Sequence, residues 1–405
     1  MLTVAAGTFL VVFFYCWLAG VMDEIVSSSA KFSTGHVKVM TRAYRELSFQ
    51  VPNDLAILDV SDLINSLNED QPDMLWTPRI RFGGLLDIPD AHGETRAQGP
   101  IMGLGIDLFS ADSPEIDILN LKNALTTGSL PKKSGDILIS DEFSKKLGIK
   151  IGETATLMGS TMNGGMAMYN FTVSGTVKFG ITAMDRGAII ADISDVQAAL
   201  DMPDGAGEVL GYHRLMLYSD EHMTAIAEGF NEKYSKANDE FAPIMLTLGE
   251  QDGLKGYLNM VAVYTNIFLL IFLFAMSIVL WNSGLMNGLR RYGEIGVRLA
   301  MGEPKGRLYR WMIYESIVTG IIGTVLGTAL GVAAGFYLQE NGIDFGSIMK
   351  DSTLMMNNVM RARVTGLSYV IGFFPGLAAP VIGSLFAGVG IYKRETAQLF
   401  KELEV

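Results

Sequence analysis

Four apolar stretches constrain this chain more than any other feature of it. Residues 1–20, MLTVAAGTFLVVFFYCWLAG, carry no charge, and roughly 257–286, 311–338 and 366–392 are similarly apolar. A helix rises about 1.5 Å per residue, so about 20 apolar residues cross a hydrocarbon layer of about 30 Å. Four runs of that length predict an α-helical membrane protein with four transmembrane helices. Mean hydropathy is positive, and the 45 glycines suit membrane helices, where glycine is commoner than in soluble ones. The single cysteine, Cys16, lies inside the first apolar run, so no intrachain disulfide can form.

Charge divides the chain. Residues 21–256 hold 34 acidic and 19 basic side chains, a net of −15, while the remainder holds 9 and 12, a net of +3. An acidic middle excludes nucleic acid as a partner, because a phosphate footprint needs clustered Lys and Arg. Short basic loops mark the cytoplasmic side. Arg290, Arg291, Arg298, Lys305, Arg307 and Arg310 crowd the loop between runs two and three, and Lys393, Arg394 and Lys401 lie in the tail. Both segments are therefore expected inside. The acidic domain is expected outside with the short loop 339–365, against the weaker signal of Lys350, Arg361 and Arg363.

The expected organisation is a first span and stalk (1–29), an extracytoplasmic domain (30–255), span two (256–289), a cytoplasmic loop (290–310), span three (311–338), an outer loop (339–365), span four (366–392) and a cytoplasmic tail (393–405). No basic segment precedes the first apolar run, so it does not read as a signal peptide. A native start further upstream, with a short basic segment, is the expectation.

The inserted domain reads as α/β. GHVKVM (35–40) alternates like a strand, and DVSDLINSLNED (59–70) has helical spacing with an Asp or Ser cap. GDILISDEFSKKLGIKIGETATLM (135–158) reads strand, helix, turn, strand, with Asp141 able to cap the helix and Gly148 to end it. Residues 169–180 and 187–200 add two strands and a further capped helix. No GxxxxGK[ST] loop, HExxH pair or GxSxG elbow occurs. His36, His92, His213 and His222 are scattered along the chain, which predicts no zinc site. Asp185 and Arg186 read as an ion pair in a turn. The chain is expected to have no catalytic residues, no metal and no cofactor of its own.

The stretch RRYGEIGVRLAMGEPKGRLYRWMIYESI (290–317) is the most informative. Ile295 and Leu299 share one helical face, and Glu294 and Arg298 form an i,i+4 ion pair on another, contributing about 0.3 kcal/mol. Gly302 can stop the helix in a left-handed conformation, and Pro304 can open the next one. Tyr309, Trp311 and Tyr314 then fall at headgroup depth. So short a helix is marginal in water and needs a surface to dock against. A position on lipid headgroups is the plain alternative.

EIGVRLAMG followed by proline and a helix resembles the cytoplasmic motif of FtsX-like permeases of the MacB and LolC/LolE type. TGHVKV (34–39), GDILISDEFSKKLGIKIGETATL (135–157), FTVSGTVKFGITAMDRGAIIADISDVQ (171–197) and YKRETAQLFKEL (392–403) extend the resemblance over most of the chain. It implies a permease subunit of a type VII ABC transporter in the bacterial inner membrane, its large domain in the periplasm, with ATP and Mg bound by a separate ATPase subunit. In such systems the loop between spans two and three is a coupling helix on the ATPase, which here assigns Glu294, Ile295, Arg298, Leu299 and Gly302. The absence of a fused ATPase in this sequence favours the LolC/LolE arrangement, in which lipoproteins are extracted from the membrane and passed to a periplasmic carrier. A MacB-like efflux permease working with an adaptor, and an FtsX-like regulator of a cell-wall enzyme, stay open. A second permease copy or a paralogue is implied.

Two further groups follow from the resemblance. Spans one and two frame a lipid-accepting cavity in that family, which assigns Phe9, Phe13 and Trp17 opposite Val263, Ile267 and Leu270; plain contact with membrane lipid is the alternative. The hairpin with Met162, Met166 and Met168 stands where those permeases carry a hook that recruits the carrier. Here it is shorter and lacks the flanking proline, and it can equally pack its own methionines. Gly323, Gly327, Gly331 and Gly335 let another helix approach span three, within the subunit more readily than between subunits. Pro375 and Pro380 predict a kink in span four.

Overall fold

The computed structural model describes residues 1–90, 92–110, 113–180, 182–216, 218–234, 239–251, 254–344 and 359–393. Lys350, Arg394 and Lys401, expected in the outer loop and the tail, lie outside the described residues. The chain divides into two compact units. Among the described residues, one comprises Val26–Leu258, and the other Met1–Ile25, Asn259–Asp344 and 359–393.

The first unit is built on ten strands: β1 (Val37–Thr41), β2 (Met74–Pro89), β3 (Thr95–Ile106), β4 (Leu125–Gly128), β5 (Asp136–Ser140), β6 (Thr154–Ser160), β7 (Met166–Val177), β8 (Ala188–Asp192), β9 (Glu208–His213) and β10 (Pro243–Thr247). Their order is β10-β1-β9-β2-β3-β8-β5-β7-β4, and β6 pairs with both β2 and β7. The pairing closes a ring of β2, β3, β8, β5, β7 and β6. Strand β2 makes the closure possible because it is 16 residues long. One of its edges pairs with β9 through Met74–Arg79 and then with β6 through Leu85–Asp87, while the other follows β3. Side chains alternate across a strand. Ile80, Phe82, Leu86 and Ile88 of β2 accordingly turn into the core with Leu157, Phe171 and Ile189, while Leu85 faces out.

Four of the helices here bear on the argument: α1 (Leu2–Ser29), which enters this unit at its C-terminal end, α2 (Val60–Asp70), α3 (Asp141–Leu147) and α4 (Ile193–Leu200). The caps differ in part from expectation. Ser140, not Asp141, caps α3, its hydroxyl accepting from the Phe143 N–H at 3.4 Å; Gly148 ends it with φ +65°. Asp59 precedes α2 with φ +51° and makes no side-chain cap. Its place is taken by Asp204, whose carboxylate accepts from the Ser61 N–H and hydroxyl. Asp185 is buried and accepts from the N–H groups of Phe179 and Gly180. Among the described residues no ion pair joins it to Arg186.

Two buried charge networks tie the strands together. Glu115 receives Arg79 through both carboxylate oxygens, Nε and Nη2 each at 2.8 Å, and both side chains are at most 1% exposed. Arg79 also donates to the carbonyls of Lys31 and Phe32 and to the Tyr212 hydroxyl, so it holds the π-helical turn Ala30–Thr34 against the sheet. On the neighbouring strands Glu208 binds Lys38 at 2.7 Å and Arg81 at 3.1 Å. Burial opposes the charge on Glu208, but the two cations hold its carboxyl below the usual range.

The second unit holds helices long and apolar enough to cross a membrane, in Leu2–Thr34, Leu254–Ala300, Lys305–Asn341 and Gly366–Gly390. They comprise α1, α5 (Leu254–Leu289), the short α6 (Tyr292–Ala300), α7 (Lys305–Asn341) and α8 (Ala379–Lys393). Helix α5 has 36 residues and α7 has 37. At about 1.5 Å per residue each is about 55 Å long and outruns the hydrocarbon layer. The glycine stripe of α7 packs within the chain. Val4, Thr8, Val12 and Cys16 of α1, themselves four apart, lie against Gly323, Gly327, Gly331 and Gly335 in step, so the two helices run parallel. A Cβ at Gly327 would stand 2.4 Å from the Ala5 carbonyl oxygen, closer than any side chain permits. Span four is broken as its prolines predict. A 3₁₀ turn at Gly366–Tyr369 and a π turn at Phe374–Ala378, containing Pro375, precede α8.

Candidate functional site

The corner between α6 and α7 follows from its sequence almost residue by residue. Gly302 has φ +95°. Its N–H donates to the Leu299 carbonyl at 3.0 Å, and the Glu303 N–H to that of Arg298 at 3.1 Å. This is the paired closure that a left-handed glycine makes at a helix end. Pro304 then stands just before the first residue of α7, where its missing N–H costs nothing.

Helix α6 is nine residues long, too short to persist alone, and the structure shows what holds it. Tyr292, Ile295 and part of Leu299 pack on Leu308 and Met312 of α7 and Ala387 of α8. The Tyr292 hydroxyl donates to the Ala387 carbonyl, and Arg291 pairs with Glu315. A Cβ at Gly390 would stand 2.1 Å from the Tyr292 oxygen, so that glycine makes room for it. The five residues assigned to coupling therefore separate. Ile295 is buried and Leu299 half-buried, because the apolar face of α6 is spent on its own bundle. Glu294 and Arg298 point outward, joined at 2.7 Å, and Gly302 is exposed at the corner. Exposed Val297 and Met301 complete the outer face. The spacing of 294, 297, 298 and 301 was available to find them.

Among the described residues, the side chains expected to frame a cavity between spans one and two lie on different faces of the two helices. Helices α1 and α5 touch through Phe14 and Phe272, ring centroids 4.4 Å apart, and through Met22 and Thr265. At 100° per residue Val263, Ile267 and Leu270 lie about 140–200° around α5 from that contact. They are 55%, 45% and 65% exposed and face away from α1. Phe9 and Phe13 stack at 5.8 Å on a third face of α1 that they share with the half-buried Trp17. Two apolar stripes exist, but they diverge.

The methionine hairpin also separates. Its turn is closed by Thr161, whose N–H donates to the Gly165 carbonyl and whose hydroxyl accepts from the Gly165 N–H. Met162 turns back onto the core, its N–H on the Leu200 carbonyl at 2.8 Å. Met166 and Met168 are 82% and 62% exposed. Met168 pairs with Met158 on β6, which pairs with Leu85 on β2, and Met102 stands beside them on β3. The result is an exposed apolar sheet face that no single stretch of sequence announces. Among the described residues no group of three or more His, Cys, Asp or Glu side chains could hold a metal ion.

Comparison with known proteins bears on the membrane unit first. Residues 266–396 match the family model described as FtsX-like permease C-terminal. Two curated proteins named lipoprotein-releasing system transmembrane protein LolC, from Xylella fastidiosa strains Temecula1 and 9a5c, are each 27% identical over 251 residues. The alignment takes in 58% of this chain and 57% of each relative, so the chain spans little more than half the length of the curated relatives it matches. Among solved structures, the periplasmic region of MacB from Actinobacillus actinomycetemcomitans aligns with a TM-score of 0.38 at 14% identity, covering 56% of this chain and 94% of that one. Residues 266–396 thus carry an FtsX-like permease C-terminal domain, and the chain is similar over 251 residues to LolC proteins.

Proposed function

We propose that this chain is the permease subunit of a type VII ABC complex that releases lipoproteins from the bacterial inner membrane toward a periplasmic carrier. The observation that carries the coupling role is the corner of α6 and α7. A helix too short to stand alone is seated on α7 and α8 and presents Glu294, Val297, Arg298 and Met301 outward. Such an element moves with the bundle and transmits what presses on it. Its partner in this reading is a separate ATPase that binds ATP and Mg. The basic loop 290–310 and the tail lie in the cytoplasm, and the acidic α/β unit stands in the periplasm.

The substrate assignment draws on the printed name of the LolC relatives and on the apolar stripes. Each buried CH₂ contributes about 0.8 kcal/mol, so an acyl chain needs a broad apolar wall. The stripes of Phe9, Phe13 and Trp17 and of Val263, Ile267 and Leu270 diverge within one chain, so a cavity framed by both requires a second permease, a copy or a paralogue. The exposed face around Met166 and Met168 would meet the carrier, methionine being suited to adaptable apolar contacts.

The test is charge reversal on the outer face of α6. Glu294→Lys should reduce co-purification with the ATPase about tenfold, or leave the complex assembled with hydrolysis no longer coupled to release. Assembly and coupled release equal to those of the wild type would overturn the assignment.

A further inference from the structure

The angle between α6 and the start of α7 encloses a cavity of about 520 Å³. Its lining combines two cations and two anions, Arg291, Glu294, Arg298 and Glu315, with an apolar end of α7 residues, Trp311, Tyr314 and Val318, among which Glu315 is interleaved. The charges pair as Arg291 with Glu315 and Arg298 with Glu294, and all four side chains are 39–53% exposed. The pairs are closed but not sealed. A guanidinium carries five N–H donors and a carboxylate about four acceptor positions, so each pair keeps capacity for a further ligand. The four charges sum to zero. Neither a simple anion nor a simple cation suits them, whereas a molecule carrying both signs does.

The apolar end continues beyond the cavity. Trp311, Tyr314, Val318, Ile322 and Val325 follow one another at three- or four-residue steps along α7, and each is 42–64% exposed. Over about 14 residues this makes a stripe about 21 Å long. It begins with Trp and Tyr, the residues that sit at the boundary between headgroup and hydrocarbon. It then runs down a helix long and apolar enough to cross a membrane. A soluble protein could cover the charged end but not a stripe descending into hydrocarbon.

We propose that this corner binds one zwitterionic phospholipid of the phosphatidylethanolamine kind. Its phosphate lies against Arg291 and Arg298, its ammonium against Glu294 and Glu315, and an acyl chain lies along Val318, Ile322 and Val325. The lipid fills the α6–α7 angle and shares Glu294 and Arg298 with the face proposed to meet the ATPase.

The full chain, purified without a partner, tests this by native mass spectrometry from nanodiscs. Phosphatidylethanolamine should be retained at one molecule per chain, phosphatidylglycerol about fivefold less, and diacylglycerol not at all. The double variant Glu294→Gln, Arg298→Gln lies on the exposed face of α6 and should lower retention about fivefold while the melting temperature in detergent stays unchanged. Acyl-brominated phosphatidylethanolamine should quench wild-type fluorescence more than Trp311→Phe fluorescence, which reads occupancy without disturbing the charges. Equal retention of the two phospholipids, full retention by the double variant, or quenching indifferent to Trp311 would overturn the proposal. So would a corner that holds no lipid and is shielded from hydroxyl-radical labelling only after a protein partner is added.

Discussion

Glu115→Gln strikes the most deeply buried charge in the α/β unit. In the native fold one carboxylate oxygen accepts from Arg79 Nε and from the Thr77 hydroxyl, each at 2.8 Å, and the other from Arg79 Nη2 at 2.8 Å. A glutamine amide keeps one acceptor but turns an NH₂ toward a donor, and it leaves a guanidinium 1% exposed without its counter-charge. Breaking a buried pair from one side costs about 3–5 kcal/mol. For a unit of 150–250 residues that lowers the melting temperature by about 10 °C. Intrinsic fluorescence of the full chain in detergent reads the transition, with Trp76 buried in β2 as a reporter. The double variant Arg79→Met, Glu115→Leu should recover only part of the loss, because the carbonyls of Lys31 and Phe32 lose their donor. Glu153→Gln in the exposed Arg96 pair should leave the melting temperature within error. A shift below about 3 °C for Glu115→Gln, or a double variant no better than the single, would refute the view that the pair clamps the Ala30–Thr34 turn.

Two further outcomes follow. His36 is 4% exposed, and burial, reinforced by the nearby His213, pushes its pKa down from 6.5 to about 4. A depressed histidine pKa stabilises the fold above pH 6.5, and that contribution is lost as pH falls toward 4. Between pH 7 and pH 4.5 the wild type should therefore lose about 2 kcal/mol more stability than His36→Gln, measured by denaturant titration at the two pH values. In α7, a Cβ at Gly335 would lie 3.3 Å from the Cβ of Cys16, near the usual spacing of a disulfide. Gly335→Cys should form an intrachain disulfide with Cys16 under mild oxidant, seen as loss of free thiol in a species that runs as a monomer on a non-reducing gel. A disulfide-linked dimer would instead place the glycine stripe between subunits.

Sequence alone determined what depends on local backbone geometry. The helices long and apolar enough to cross a membrane follow from the lengths of four apolar runs. The α6–α7 corner follows from Gly302 and Pro304, and the end of α3 from Gly148, because each of these acts within a few residues of itself. Tertiary structure decided everything that depends on which distant segment arrives. Asp204 caps α2 from 143 residues away in place of Asp59, a choice no local signal encodes. The ring closes because β6 finds both β2 and β7, and Met102, Leu85 and Met168 become one face only once that pairing is set. Periodicity put Ile295 on an apolar face of α6 but did not say whether that face meets a partner or its own bundle. Packing against Leu308, Met312 and Ala387 settled it, since a nine-residue helix is not stable until that face is buried. In the same way an aliphatic stripe on α5 is visible in sequence, but its direction is fixed by Phe272 meeting Phe14 on the opposite side of the helix.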